Sequence, residues 1–369
     1  MHKETNERED KTRILQPLTG SIMDVNATAL WPTSVSLQLP SKARSEESKI
    51  MDTIQIFFYS VVFLLGSLGN GTVIWITAPQ VLHTVNCVWF FHLALADFLF
   101  SVSRIVPLLK NAFNEGWPFG SFVCQANSFI KYLNMFCSVF LLAAISLDRA
   151  VSVSYPVWFK NHRGPRLAWL AAAGAWFVAT AASLPFYLYR RVVAEKGSTK
   201  CSLALGDKVS VKWALYFLRL VCGFLAPFAI IVICYGVIAV KLRRRQTTFR
   251  SNKPFKVILA IVVTFFLCWA PYHIFLILKL VGVKGQGISI GLPLMSSLAY
   301  LNSCANPILY FFLGLDFRRK LGRFNLAGAF RRTLLEESGY SFRRPSRYQK
   351  EATSSVAEPV QSTVVDRVL

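Results

Sequence analysis

The sequence is short of charge, and most of the charge it has is of one sign. Of 369 residues 16% are charged, against about a quarter in an ordinary soluble domain. Acidic residues number 19 and basic residues 41, so the formal net charge is +22. With 54% of residues hydrophobic, this depletion argues against a soluble chain and for a membrane protein. So large a positive charge first suggests nucleic acid. Here the basic residues stand between and after the apolar runs, so no nucleic-acid partner is expected. Other absences narrow the class. No nucleophile–base set and no metal-ligand cluster is visible, so an enzyme is not expected. Residues 1–49 lack an apolar core, so no cleavable signal is expected and the first span inserts itself. The seventh apolar run has no lysine for a retinal Schiff base, and no cysteine follows it to carry a palmitoyl anchor. Internal repeats and broken spans are missing too, which counts against the rival from another class, an anion transporter or channel.

What is present is a set of seven apolar runs, at about 54–77, 85–109, 121–147, 167–189, 212–240, 255–280 and 289–313. Each exceeds the roughly 20 helical residues that cross a bilayer core, and helices are required because backbone groups in lipid must pair within their own segment. The predicted fold is therefore an all-α seven-transmembrane helix bundle. Its expected parts are a tail over 1–52, the bundle over 53–313, a short amphipathic helix over 314–324 and a second tail over 325–369. Seven basic residues and no acid lie in Lys241–Lys256, three in Tyr155–Arg166 and eleven after Gly314. These segments are expected in the cytoplasm, which puts the N-terminus outside in a plasma-membrane, multi-pass topology. The loop Arg190–Lys212, with six basic residues, weakens that bias. Asn26 heads an acceptor sequon on the side expected to be extracellular. Of eight cysteines, six lie within spans. The other two, Cys124 and Cys201, face an oxidising compartment, and a disulfide between them is expected.

A charge in hydrocarbon is expensive and marks function by default. Lys131 stands seven residues below Cys124, about 10 Å along the helix. Snorkelling towards the headgroups is one reading of it. The other reading follows from its company: Arg104, Arg219 and Lys279 also fall in the outer parts of their spans, and no acid is expected there. Such cations repel one another until an anion arrives. Arg190, Arg191, Lys196 and Lys200 extend the positive field beyond the spans and suit the steering of an acidic ligand. Guanidinium forks suit carboxylates.

Several motifs stand in order along the chain: Asn70 in GNGTV, Asp97 in LALADF, Arg149 in LDRA, Trp176, Pro227 with Tyr235, FFLCWAPYH with Phe265, Trp269 and Pro271, and NPILY with Asn306, Pro307 and Tyr310. Together they resemble the rhodopsin-like (class A) G-protein-coupled receptors. NHRGPRLAW, SNKPFKV and LNSCANPILYFFLGLDFRRKL are similar to the chemoattractant branch, which includes the chemerin, formyl-peptide, anaphylatoxin and chemoattractant-type prostaglandin-D receptors. The resemblance implies a carboxylate held at Arg219, in a pocket lined by Tyr132, Met135, Tyr272, His273 and Tyr300. It implies a switch made of Asp148, Arg149, Tyr235, Phe265, Trp269, Asn306, Pro307 and Tyr310, in which Asp148 and Arg149 neutralise each other at rest. Around Asp97 it implies an allosteric sodium ion with Asn134, Ser138, Asn302 and Ser303; a protonated Asp97 in a hydrogen-bond network is the alternative. The implied partners are an inhibitory-class G protein, arrestin on a phosphorylated tail, membrane lipid, and an acidic peptide or lipid-acid agonist. Ala150 departs from the usual Tyr or Cys after the arginine, which leaves altered basal activity or a non-signalling scavenger open. A proline at Pro107, later than in many of these receptors, predicts a shifted kink in the second span.

Overall fold

The computed structural model describes residues 46–113, 116–195, 198–206, 208–244 and 253–314. The expected amphipathic helix beyond Gly314, the second tail, the first tail up to residue 45 with Asn26, and Lys196 and Arg245 fall outside these residues. Seven helices are long and apolar enough to cross a membrane. We number them α1 (Glu46–Thr77), α2 (Val85–Ala112), α3 (Gly120–Ser154), α4 (Pro165–Leu188), α5 (Val209–Arg244), α6 (Lys253–Leu280) and α7 (Gln286–Gly314). A connecting helix, Pro156–His162, lies between α3 and α4. An antiparallel hairpin of β1 (Arg190–Glu195) and β2 (Ser198–Leu203) lies between α4 and α5.

Two expected boundaries shift by about two helical turns. Glu46 and Glu47 occupy the first turn of α1, where carboxylates favour the positive end of the helix dipole. The helix therefore starts earlier than its apolar run, and it brings Asp52 into the span. The expectation that no acid stands in that half of any span is corrected accordingly. Likewise α3 does not end at Asp148 and Arg149 but continues to Ser154. Its final stretch, AVSVS, has no helix breaker before Pro156.

Proline sets several of the irregularities. In α2 the helix breaks at Arg104, whose N–H bonds back only three residues, to Ser101 O at 3.1 Å. Pro107 explains the break, because its ring clashes with the carbonyl four residues earlier, at Ser103. In α5 the turns over Leu218–Leu225 widen into a π-helix just ahead of Pro227. Wide turns of this kind relieve a proline's missing donor and are frequent at functional sites. In α7 Pro307 supplies no N–H to Ser303 O, and Asn70 Nδ2 takes that carbonyl at 2.8 Å. The GNGTV motif of α1 thus meets the NPILY motif of α7 through a bond that proline leaves open.

The core runs along α2 and α3, the two most buried spans. Leu93, Phe136, Phe186 and Phe265 are fully buried within it. Gly223 lets α5 approach α3: a Cβ there would lie 2.8 Å from Met135 Cε. A second small cluster packs Ala150 against Cys234, Ile238 and Leu242 of α5. Phe57, Trp75, Leu170, Phe177 and Leu267 remain exposed, as suits faces turned to acyl chains. One end of the bundle carries the hairpin, and the expected Cys124–Cys201 disulfide joins it to α3. Trp117 N–H donates to Thr199 O at 2.8 Å, a second tie between that hairpin and the α2–α3 connection.

Candidate functional site

At the disulfide end, the widened turns of α5 carry Arg219 into the bundle. Its side chain is buried. Nη1 donates to Tyr272 Oη at 2.5 Å and Nη2 to Tyr132 Oη at 2.7 Å. The guanidinium carbon lies 4.9 Å from the Tyr132 ring centre, 5.3 Å from Phe186, 5.5 Å from Tyr216 and 5.9 Å from Tyr272. Such faces attract a desolvated cation. Lys131 is half-buried, and its Nζ sits 4.8 Å from the same Tyr132 ring. Among the described residues, no acid forms an ion pair with Arg219, Lys131 or Arg104. The charges of this region are held by neutral oxygens and rings.

Below Arg219 lie Met135, fully buried on α3, and His273, 2% exposed on α6. The His273 ring lies 4.7 Å from Phe224 and 6.3 Å from Trp269. Neither of its ring nitrogens has a hydrogen-bond partner, and Trp269 Nε1 has none either. Burying unpaired polar atoms costs about 1–3 kcal/mol each. Two such groups beside one cation leave donors and acceptors ready for a polar ligand. Trp269 rests 6.0 Å from Phe265, one turn earlier in α6.

Arg104 belongs to a different group. Its Nη2 donates to Asn127 Oδ1 at 2.8 Å and to Ser103 Oγ at 3.0 Å. Its guanidinium lies 4.3 Å from the Phe100 ring and 5.4 Å from Tyr300, and Tyr300 stacks on Tyr59. The predicted ligand-binding residues therefore divide. Lys131, Tyr132, Met135, Arg219, Tyr272 and His273 come together; Arg104 and Tyr300 form a neighbouring aromatic nest; Arg190 is half-buried in β1; and Lys279 is exposed near the end of α6. Phe186, Tyr216 and Asn127 went unpredicted. Asn127 was findable, as one of three amides in the third apolar run, but nothing distinguishes Phe186 from the other 29 phenylalanines.

Midway along the bundle Asp97 is fully buried. Its Oδ1 accepts from Asn134 Nδ2 at 2.8 Å and its Oδ2 from Asn306 Nδ2 at 2.7 Å. Ser303 Oγ and Ser138 Oγ each lie 3.4 Å from an Asn134 side-chain atom. The side-chain oxygens of Asn302 and Asn306 are buried without a partner. Both carboxylate oxygens thus face amide N–H donors; the groups that could hold a small hard cation beside Asp97 are the unpartnered Asn302 and Asn306 oxygens and the Ser138 and Ser303 hydroxyls.

At the opposite end the charged cluster differs from the expected pair. Arg149 Nε is 3.7 Å from Asp148 Oδ2, beyond hydrogen-bond range. Asp148 instead receives Arg163, by Nε at 3.1 Å and Nη2 at 2.9 Å. Arg149 Nη2 donates to Asn86 Oδ1. The expected Asp148–Arg149 pair is present as a loose ion pair, while a loop arginine with two good donors holds the same carboxylate more closely. Tyr235 borders the Ala150 cluster; Pro307 and Tyr310 lie on α7, and the side chain of Tyr310 falls outside the described residues.

The comparisons with known proteins agree with this architecture. Residues 69–310 match the model for the 7 transmembrane receptor (rhodopsin family). The chain belongs to the rhodopsin family of seven-transmembrane receptors. It is 40% identical to chemerin-like receptor 1 of Bos taurus over 80% of this chain and 86% of that one. It is 36% identical to formyl peptide receptor 2 of Mus musculus, over 85% and 92%. It is 41% identical to the C3a anaphylatoxin chemotactic receptor of Danio rerio, over 77% and 78%. The receptor is thus a G-protein-coupled membrane protein of the chemoattractant group, and its family is one of receptors rather than enzymes.

Proposed function

We propose that this receptor binds a carboxylate-bearing peptide or lipid acid at its disulfide end and activates an inhibitory-class G protein at the other. The observation that carries the reading is Arg219, a buried guanidinium whose hydrogen bonds, among the described residues, go to two phenol oxygens. Each phenol keeps its own O–H, so an incoming carboxylate is offered two hydroxyl donors backed by a cation, with the Lys131 ammonium beside them. Charge-assisted contacts of this kind are the strong ones. Met135, Trp269 and Phe129 supply apolar surface for the rest of the ligand. The disulfide end is then extracellular, and Arg190 and Arg191 of the hairpin steer the acid inward.

Agonist docking against Trp269 acts through Phe265 on α6, and Pro271 gives that helix its hinge. Arg149, with Tyr235 and Tyr310, meets the G protein. Asp97, Asn134, Ser138, Asn302 and Ser303 would hold a sodium ion that supplies a counter-charge to Asp97, and agonist and ion then oppose each other by linkage. Arrestin docks on the phosphorylated tail. The short connection over 245–252, by the family resemblance, favours the inhibitory class.

The test is a concentration–response series in a G-protein dissociation assay. Acidic agonists are paired with their amides or methyl esters, on the native receptor and on Arg219→Ala and Lys131→Ala. Loss of the acid's advantage in both variants supports the reading. Equal potency in native and variant receptors removes it. Absent G-protein dissociation with intact binding favours the scavenger alternative.

A further inference from the structure

The joint between the connecting helix and α4 holds a charge that the mechanism above does not use. Arg163 follows Pro156–His162 and precedes Gly164, in an extended conformation with φ −77° and ψ 116°. Its Nε and Nη2 grip the two oxygens of Asp148 at 3.1 and 2.9 Å. This is the fork-on-fork arrangement that makes arginine–carboxylate pairs strong. Arg149 reaches the same carboxylate only at 3.7 Å. The two arginines meet again at Asn86 Oδ1, which accepts from Arg163 Nη2 at 2.9 Å and also from Arg149. One carboxylate and one amide oxygen thus serve two guanidinium groups. The side chains of Asp148, Arg149 and Arg163 are 11%, 14% and 19% exposed, so solvent screens their contest only in part.

We propose that Arg163 is a positioning residue for signalling: by gripping Asp148 it holds the Asp148–Arg149 ion pair loose, and so keeps Arg149 available to the G protein. The inference rests on the reading that Arg149 faces the G protein. A second feature gives the competition room. A pocket of ≈ 280 Å³ opens beside the pair, lined by Trp158, Phe159, Leu167 and Ala171. The Arg163 guanidinium carbon already lies 4.9 Å from the Phe159 ring centre. That aromatic face can stay with the guanidinium when it lets go of Asp148, while the void leaves the connecting helix room to shift. The connecting helix then acts as the handle: displacing it carries Arg163 away, and Asp148 passes to Arg149.

The experiment measures agonist-free nucleotide exchange on the G protein by full-length receptor in lipid nanodiscs, at matched receptor density. Arg163→Gln is expected to lower exchange roughly two- to five-fold, the range of a partly exposed ion pair, because Asp148 then turns to Arg149. In an Asp148→Asn background the same substitution should do nothing, since the shared carboxylate is gone. Arg163→Lys, a single point charge in place of a fork, should give an intermediate rate. Exchange that is unchanged or raised in Arg163→Gln overturns the proposal, as does a fall of equal size in the Asp148→Asn background. If Arg163→Gln does not reach the surface, Arg163→Lys decides, an intermediate fall supporting the proposal and native exchange overturning it. Arg149→Ala separates the two readings: if it leaves exchange intact, the assignment of Arg149 to the G protein fails, and the role of Arg163 with it.

Discussion

Arg219 and Arg149 are two arginines in spans of one bundle, and they are accommodated in opposite ways. Arg219 has no acid as an ion-pair partner among the described residues; phenol oxygens and four aromatic rings surround it. Arg149 sits beside a carboxylate, yet a second arginine claims that carboxylate. The difference is one of stored imbalance. At the disulfide end a positive charge lacks a negative one, and the missing partner is the proposed ligand. At the far end two positive charges share one negative, and no outside ion is needed to change which is neutral. The first arrangement responds to binding, the second to movement.

The sharpest way to break this contrast is to remove the cation at the disulfide end. Arg219→Ala should weaken an acidic agonist by about 10- to 150-fold, from the 1.5–3 kcal/mol of a hydrogen bond to a charged group. An amide analogue should be nearly unaffected, as read from paired concentration–response curves. Next come the phenols. Tyr132→Phe and Tyr272→Phe should each cost the acid roughly five-fold, about 1 kcal/mol per neutral hydrogen bond. Loss in the arginine variant without loss in either tyrosine variant would place the acid on Arg219 alone. Asp97→Asn should remove the dependence of agonist affinity on sodium, measured as the shift between sodium and choline chloride buffers. A shift that persists would favour the hydrogen-bond network over the ion. Smallest of all, Lys279→Ala should change acid potency less than about two-fold, since Lys279 is exposed and screened by salt.

Much of the fold was legible in the sequence because lipid leaves few options. Seven apolar runs became seven helices, and boundaries moved only where another force outweighed hydropathy. Glu46 and Glu47 read as a polar tail, but at a helix start they are stabilising; Ser152 and Ser154 look like a loop, but nothing before Pro156 stops the helix. Within the candidate site the reading picked out Arg219, Lys131, Tyr132, Tyr272 and His273, because charged and polar side chains stand out against lipid-like sequence. It grouped Arg104 with them, where the structure gives Arg104 its own nest around Asn127 and Phe100. It missed Arg163 because a basic residue in a loop between spans looks like an anchor for topology. Only the fold brings it within 2.9 Å of Asp148.

By itself the sequence determined the class of molecule, the number of spans, a kink in the second span set by Pro107, and the cysteines that join the hairpin to α3. Hydropathy, proline and thiol chemistry act locally, so a string of letters carries them. Tertiary structure alone decided which cation meets which partner: phenols for Arg219, an amide for Arg104, a shared carboxylate for Arg149 and Arg163. Most of those choices depend on side chains 15 to 87 residues apart arriving at about 3 Å, and in a buried site the nearest well-aimed donor takes the acceptor, whatever its neighbour in the chain.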